Sequence, residues 1–353
     1  MKKLYTTPEY KEWQKRRQRK IERKLRSKNR TARKKKSGES KKTKRQIVKD
    51  IRLPVDAPAD MRLLENTAKC LEVFRAMRSD YALSRNNNMK FIVLNLKNVT
   101  QIDYGSISIL TAISDDLKYK GIIVRTFFPD DMDCRKFLYE SGYYNHLYDE
   151  LGKPFQKAPK SDLLFFEKGS GVLSEADNIR ISNMIKAVVN HLIGESKHCL
   201  AVRTIILEIC GNSIEWSGTD SRQWLLGVKY EERKVVFTVT DVGIGILETL
   251  NKRFGLILKD IFSFKSPDDI LKGAFNKKYG STTQEVNRNK GLPAVKSHWE
   301  QGTINCLKVL TNNVILHFDN DSLSKTFSLG SPRFKGTFYQ WEMTNDCLNK
   351  IMV

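Results

Sequence analysis

The hydrophobic pattern of the chain changes character at Gln46. Before it, residues 9–36 are rich in helix formers, with only scattered apolar positions such as Trp13, Ile21 and Leu25. After it, Ile47, Val48, Ile51, Leu53 and Val55 predict a strand ending near Pro54. Across residues 61–77, Leu64, Ala68, Leu71, Phe74 and Met77 recur at three- and four-residue steps, which predicts an amphipathic helix. Residues 91–96 read as a buried strand, 106–117 as a helix, 122–127 as a strand and 131–140 as a helix. This β-α-β-α-β-α order predicts a small open sheet flanked by helices.

Residues 152–160 contain Pro154 and Pro159 and read as a linker. Beyond them the pattern predicts two helices, 176–191 and 201–216, separated at Gly194-Glu195-Ser196-Lys197. Strands follow at 224–229, 235–240, 304–310, 314–318 and 337–342. Between the second and third of these strands, residues 245–302 are rich in Gly, Ser, Thr, Asn and Lys, with a helix over 292–300 at the end. That stretch is too long for a plain connection and reads as a functional, lid-like segment. No internal repeat is visible. The expected fold class is α/β, two α/β sandwich domains at 46–150 and 165–345. A tail at 1–45, a linker at 151–164 and a short end at 346–353 complete the chain.

Composition sharpens this picture at one end. The chain has 353 residues and a formal charge of +22, but residues 1–49 hold 22 of its 62 Lys and Arg and only four of its 40 acidic side chains. The basicity is that of a tail, and the remainder is close to neutral. Such a tail, with Trp13 among the cations, can hold nucleic-acid phosphates through counterion release, or can simply be a solvated or localising segment. The six cysteines (Cys70, Cys134, Cys199, Cys210, Cys306 and Cys347) form no CxxC pair, which argues against a clustered zinc site and a disulfide framework. The first residues lack the apolar stretch of a secretory signal, and no run of about 18 apolar residues occurs. A cytoplasmic protein without a membrane span is the expectation.

Three motifs carry chemistry. Glu208 and Asn212 lie four residues apart in a predicted helix, so both project from one face. Asn212 can offer an oxygen to Mg²⁺ and Glu208 can orient or deprotonate a nucleophile. Taken alone, the pair is equally a solvated Glu beside an Asn. Asp241-Val242-Gly243-Ile244-Gly245 ends a predicted strand. A carboxylate there can accept from an exocyclic amine while bare backbone admits a flat base, although an ordinary turn uses the same residues. Gly291 opens the 292–300 helix, whose free N–H groups suit phosphate. Ser281, Thr282, Thr283, Arg288 and Lys290 before it can add hydroxyls and charge, or form a polar loop only.

In this order and at these distances the motifs resemble the nucleotide site of the Bergerat-fold, or GHKL, ATPases, over roughly residues 165–345. In that family the Asn box supplies an acidic residue and a Mg²⁺-binding Asn, which match Glu208 and Asn212. The first glycine box supplies the adenine-reading Asp, matching Asp241 with Gly243 and Gly245. The second box matches Gly291 with Leu292, and a late Gly-Thr matches Gly336-Thr337. The second box usually has a glycine just before the place of Gly291 or two residues earlier, and here Lys290 and Asn289 occupy those positions. The resemblance implies ATP and Mg²⁺ as cofactors, Glu208 as the catalytic residue, and Asn212, Asp241, Gly243, Gly245, Thr282, Thr283, Lys290, Gly291, Leu292 and Thr337 as nucleotide contacts.

Residues 91–106 and Gly121-Ile122-Ile123-Val124-Arg125 resemble a STAS domain, the fold of anti-sigma-factor antagonists. The turn that often reads Asp-Ser-Ser-Gly in that family is here Asp103-Tyr104-Gly105-Ser106, with glycine at the phosphoacceptor position. The resemblance therefore implies a STAS-like scaffold without its switch, the nearest hydroxyls being Tyr104, Ser106 and Ser108. The whole arrangement, with Gly291-Leu292-Pro293, Trp224-Leu225-Leu226-Gly227 and Phe338-Tyr339-Gln340-Trp341, is similar to bacterial proteins joining a STAS-like and a histidine-kinase-like ATPase domain. It implies an ATPase or a Ser/Thr-kinase-like phosphoryl transferase acting in signalling. A protein partner would engage the STAS-like domain, and a second copy of the chain or nucleic acid at the tail are further expected partners. A histidine kinase is disfavoured because His191 and His198 are not followed by an acidic residue, and no His-Glu or His-Asp pair occurs.

Overall fold

A seven-stranded antiparallel sheet covered on both faces is the centre of the computed structural model. The structure describes residues 12, 49–87, 89–148, 153, 164–170, 173–216, 223–254, 266–276, 291–328 and 330–352. Contacts divide the chain into residues 1–48 with 285–287 and residues 49–284 with 288–353. The elements below all belong to the second unit.

The first elements are short. β1 (Lys49–Asp50), β2 (Val55–Asp56) and β3 (Asp60–Met61) precede α1 (Thr67–Met77), and β4 (Ser84–Asn86), β5 (Met89–Asn95) and β6 (Gln101–Ile102) follow it. β5 runs parallel to β7 (Ile122–Phe127) along one edge. Its other edge takes β4 antiparallel and β2 parallel, with β1 outside β4. Helix α1 begins later than the periodicity predicts because Asp60 and Met61 are drawn into a parallel pair with Gln101 and Ile102.

Helix α2 (Tyr104–Tyr119) is capped by Asp103, whose side chain accepts from Ser106 N at 2.7 Å and from Leu63 N at 2.8 Å. Every residue from Tyr104 to Leu117 is buried, as expected of a helix packed on all sides. A β-carbon at Gly105 would touch Leu63 and Phe338 at 3.1 Å, so glycine lets the helix lie close to the large sheet. Tyr104, Ser106 and Ser108 are therefore all sealed from solvent. Helix α3 (Met132–Glu140), capped by Asp131, completes this half.

The large sheet is ordered β13-β12-β11-β14-β10-β9-β8. Its strands are β8 (Leu164–Ser170), β9 (Gln223–Glu231), β10 (Lys234–Asp241), β11 (Asn305–Asn312), β12 (Val314–His317), β13 (Lys325–Thr326) and β14 (Phe334–Thr344). Side chains alternate between the two faces. Leu226, Val228, Phe237, Val239, Val309, Leu316, Tyr339 and Trp341 pack on one side, with α4 (Glu175–Ile193), α5 (Leu200–Trp216), α6 (Ile246–Phe254), α7 (Pro267–Phe275), α8 (Gly291–Glu300) and α9 (Asn345–Met352). Leu225, Leu310, Ile315, Phe334 and Phe338 face the other way, into the core built by α1 and α2. There Ser108 Oγ lies 2.8 Å from Thr240 Oγ1 and accepts from Thr238 Oγ1 at 3.2 Å, a buried hydroxyl chain between α2 and β10.

Local signals explain the helix ends. Ser174 and Asp177 form a reciprocal capping box on α4, and Gly194 at φ +75° ends it. Ser266 caps α7, with Pro267 at the first position. In the 245–302 stretch the described residues are mostly helical, forming α6, α7 and α8, while 255–265 and 277–290 lie outside the description. The mixed α/β class agrees with the sequence reading. All six cysteines are free and five are buried. No helix among the described residues is long and apolar enough to cross a membrane.

Candidate functional site

Two buried strand ends and two helices meet at one point. Helix α5 brings Glu208 and Asn212, both half-buried, one turn apart on the same side. Gly291, the first residue of α8, lies directly against Asn212: a β-carbon there would stand 2.4 Å from Asn212 Nδ2. The Asn212 amide nitrogen is buried and makes no hydrogen bond among the described residues. An unused amide held at a helix start fits an anionic or metal-bound oxygen, since burying it alone costs about 1–3 kcal/mol. Leu292 is half-buried and packs into the core beneath, with Pro293 in the first turn where a missing N–H is harmless.

The next residue of α5, Ser213, points to the other half of the site. Its hydroxyl lies 3.1 Å from Ile209 O and 3.4 Å from Asp241 Oδ2, and it donates to one of them at a time. Asp241 ends β10 and is buried, with Oδ1 accepting from Gly243 N at 2.9 Å. The β10–β14 register sets Thr337, itself buried, opposite Asp241. Burial pushes the Asp241 carboxyl up to about 6, against the opposing pull of the Gly243 N–H and of the nearby Thr337 and Ser213 hydroxyls. Gly336 has φ +147°, and a β-carbon on it would stand 2.1 Å from Asp241 O, so only glycine permits this approach of the two strands.

A second layer holds the glycine turn. Gly245 takes φ +85° and precedes α6. The exposed N–H groups of that helix are capped from β11. Asn312 Oδ1 accepts from Leu247 N at 3.0 Å, and Thr311 Oγ1 accepts from Ile246 N at 2.9 Å. Asn312 Nδ2 also donates to Ile244 O at 2.9 Å, and the Thr311 hydroxyl donates to Gly336 O at 3.0 Å. Asn312 itself sits at φ +52°. From the other side, Arg78 donates to Val242 O at 2.7 Å and to Lys335 O. None of Thr311, Asn312, Ser213 and Arg78 was signalled by a motif. Only the Thr-Asn pair closing a predicted strand carries a local hint of capping chemistry.

The structure thus joins Asn212 to Gly291, and Asp241 to Gly243 and Thr337, with Gly245 in the same turn. Thr282, Thr283 and Lys290 lie outside the described residues. His191 is exposed and bonds to Glu231 O, and His198 is exposed. An open cleft among Leu53, Val55, Lys69, Glu72, Ala76 and Tyr81 contains none of the expected site residues. Among the described residues no group of three His, Cys, Asp or Glu side chains could hold a metal unaided. Neither a protein-family model nor a curated protein matches the chain.

Proposed function

We propose that residues 165–345 form a Bergerat-type nucleotide site that binds ATP with Mg²⁺ and transfers its terminal phosphoryl group to water or to a protein hydroxyl. The observation that carries the reading is convergence. Gly291 lies against Asn212, Thr337 stands opposite Asp241, and Ser213, next to Asn212 in α5, reaches the Asp241 carboxyl, so residues of four elements are brought near one another.

Each residue has a role that follows from its chemistry. Asp241 is a buried acceptor beside a bare turn, suited to the exocyclic amine of adenine, and Thr337 supplies a hydroxyl next to it. Asn212 is the metal ligand. A single amide oxygen suffices because Mg²⁺ takes most of its other oxygens from phosphate and water. When bound, the ion neutralises phosphate charge. Gly291 lets the first turn of α8 approach Asn212, so that backbone N–H groups can meet phosphate oxygens. Glu208, one turn from Asn212, orients the nucleophile and takes its proton. Thr282, Thr283 and Lys290 are assigned to phosphate contacts on the resemblance alone.

Residues 46–150 serve in this reading as a STAS-like regulatory scaffold for a protein partner, without phosphorylation at the Asp103 turn. Burial of Tyr104, Ser106 and Ser108 supports that part. The tail, with its concentrated Lys and Arg, is the candidate contact for nucleic acid. Phosphate release from Mg-ATP by the full chain tests the enzymatic claim. Release that persists in Glu208→Ala would remove Glu208 from catalysis. Binding without release would make the site a nucleotide-gated switch or a kinase lacking its acceptor.

A further inference from the structure

Arg78 occupies a place that no motif assigns. It follows α1, where its backbone N–H donates to Arg75 O and that of Ser79 to Ala76 O. Its guanidinium leaves the helix and reaches 164 positions along the chain to Val242 O at 2.7 Å, while its second arm donates to Lys335 O. These two carbonyls have a particular position. The β10–β14 ladder stops at the Asp241–Thr337 pair, so Val242 lies one residue and Lys335 two residues beyond the last rung, one on each strand. A backbone carbonyl past the end of a ladder needs a donor from elsewhere. Arg78 supplies both donors from one planar group, and so pins the two strand ends at the spacing that Gly336 makes possible.

We infer that Arg78 is a positioning residue of the nucleotide site, through which residues 49–87 set the distance between Asp241 and Thr337 and hence the reading of the base. The inference rests on the proposed role of Asp241 as the acceptor for adenine's amine. It deepens that reading by naming the route from the N-terminal half of the unit to the base pocket. The residue type matters. A guanidinium is a rigid fork that spans two acceptors, whereas an ammonium is a single point and Met keeps only the stem. The group is half-buried. Desolvation draws its pKa downward, and the Asp116 and Asp241 carboxylates oppose that shift.

The site offers a direct readout. ATP and ITP share triphosphate and ribose but differ at the 6-position, where ITP lacks the amine that Asp241 would accept. The ratio of their affinities reports the Asp241 contact and is blind to a general loss of phosphate binding. The test is equilibrium titration of Mg-ATP and Mg-ITP into the full chain, its Arg78→Met and Arg78→Lys variants, and Asp241→Asn as the reference. Arg78→Met is expected to lose about tenfold in ATP affinity, the size of one hydrogen bond, with ITP almost unchanged. The ATP/ITP ratio then falls toward the Asp241→Asn value, and Arg78→Lys lies between. An unchanged ratio, whether both affinities drop equally or neither drops, overturns the inference and leaves Arg78 a structural clamp. Should Arg78→Met fail to fold, the Arg78→Lys ratio decides in the same way. Failure of the wild-type chain to bind either nucleotide is a different result, because it removes the reading of the site itself.

Discussion

Asp241 gives the sharpest test at the scale of single residues. Its folded-state pKa of about 6 stands above the ordinary 3.8, because burial disfavours the charged form. Between those values the folded protein holds a proton that the unfolded chain releases. The contribution of this group to stability is thus greatest below pH 4, declines as pH rises through this window, and is lower by up to about 3 kcal/mol above pH 6. Asp241→Asn is expected to remove its own share of the pH dependence of urea unfolding between pH 4 and 6, leaving the share of Asp103, which burial also raises to about 6. At pH 7.5 its stability should equal or exceed that of the wild-type protein, while ATP affinity is lost. A variant clearly less stable than wild type at pH 7.5 would mean that the carboxylate is structural.

At the scale of elements, the turn between β10 and α6 depends on residues that do not belong to it. Thr311 and Asn312 close β11, yet they cap a helix 65 positions earlier. Asn312→Ala removes the acceptor for Leu247 N and the donor to Ile244 O together, and is expected to cost about 1–2 kcal/mol of unfolding free energy. Amide hydrogen exchange should quicken at Ile246–Phe254 before it does in β10, and exchange that stays uniform across the unit would contradict this assignment. Such distant partners explain why part of the site was illegible in the sequence. Asn212 was visible through its four-residue spacing from Glu208 inside a helix, and Asp241 and Gly291 through their places at a strand end and a helix start. Arg78 and Asn312 look like ordinary helix-end and strand-end residues, and their meaning lies in what the fold brings to them. The same holds for whole elements. Strand β8 hides in a four-residue apolar run, Leu163-Leu164-Phe165-Phe166, beside the proline-containing stretch, and pairs as the edge of the sheet. Its Gly169 is needed because a β-carbon would strike the Trp224 ring at 2.2 Å. Helices α6 and α7 were masked by the polar composition around them, though Leu247, Ile270, Leu271 and Phe275 are all buried. Helix α9 is only eight residues long, too short for its Cys347, Leu348 and Ile351 spacing to stand out.

At the scale of the whole molecule, the covered second face of the large sheet matters most. Leu225, Leu310, Ile315, Phe334 and Phe338 are buried against the core of α1 and α2. Removing residues 49–148 would expose five large side chains worth about 2 kcal/mol each, together about 10 kcal/mol, comparable with the entire stability of an ordinary domain at about 5–15. A fragment of residues 164–353 is therefore expected to be insoluble or to unfold without a cooperative transition. A fragment as stable as the full chain in a denaturant titration would show that the two halves are independent. The sequence pattern gives the mixed α/β class, but periodicity within a strand cannot say what covers its second face. The sheet's near-continuous apolar runs, such as Val235-Val236-Phe237, acquire their reason only when both sides are seen packed.

The central claim is that Asn212 and Asp241 belong to one Mg-ATP site, and calorimetric titration of Mg-ATP into the full chain, the wild type beside Asn212→Ala, tests it most directly. The account predicts one saturable site in the wild type, abolished by chelating the Mg²⁺ and by Asn212→Ala, with the circular dichroism of the variant unchanged. No binding by the wild type at millimolar Mg-ATP, or equal binding by Asn212→Ala, would contradict it.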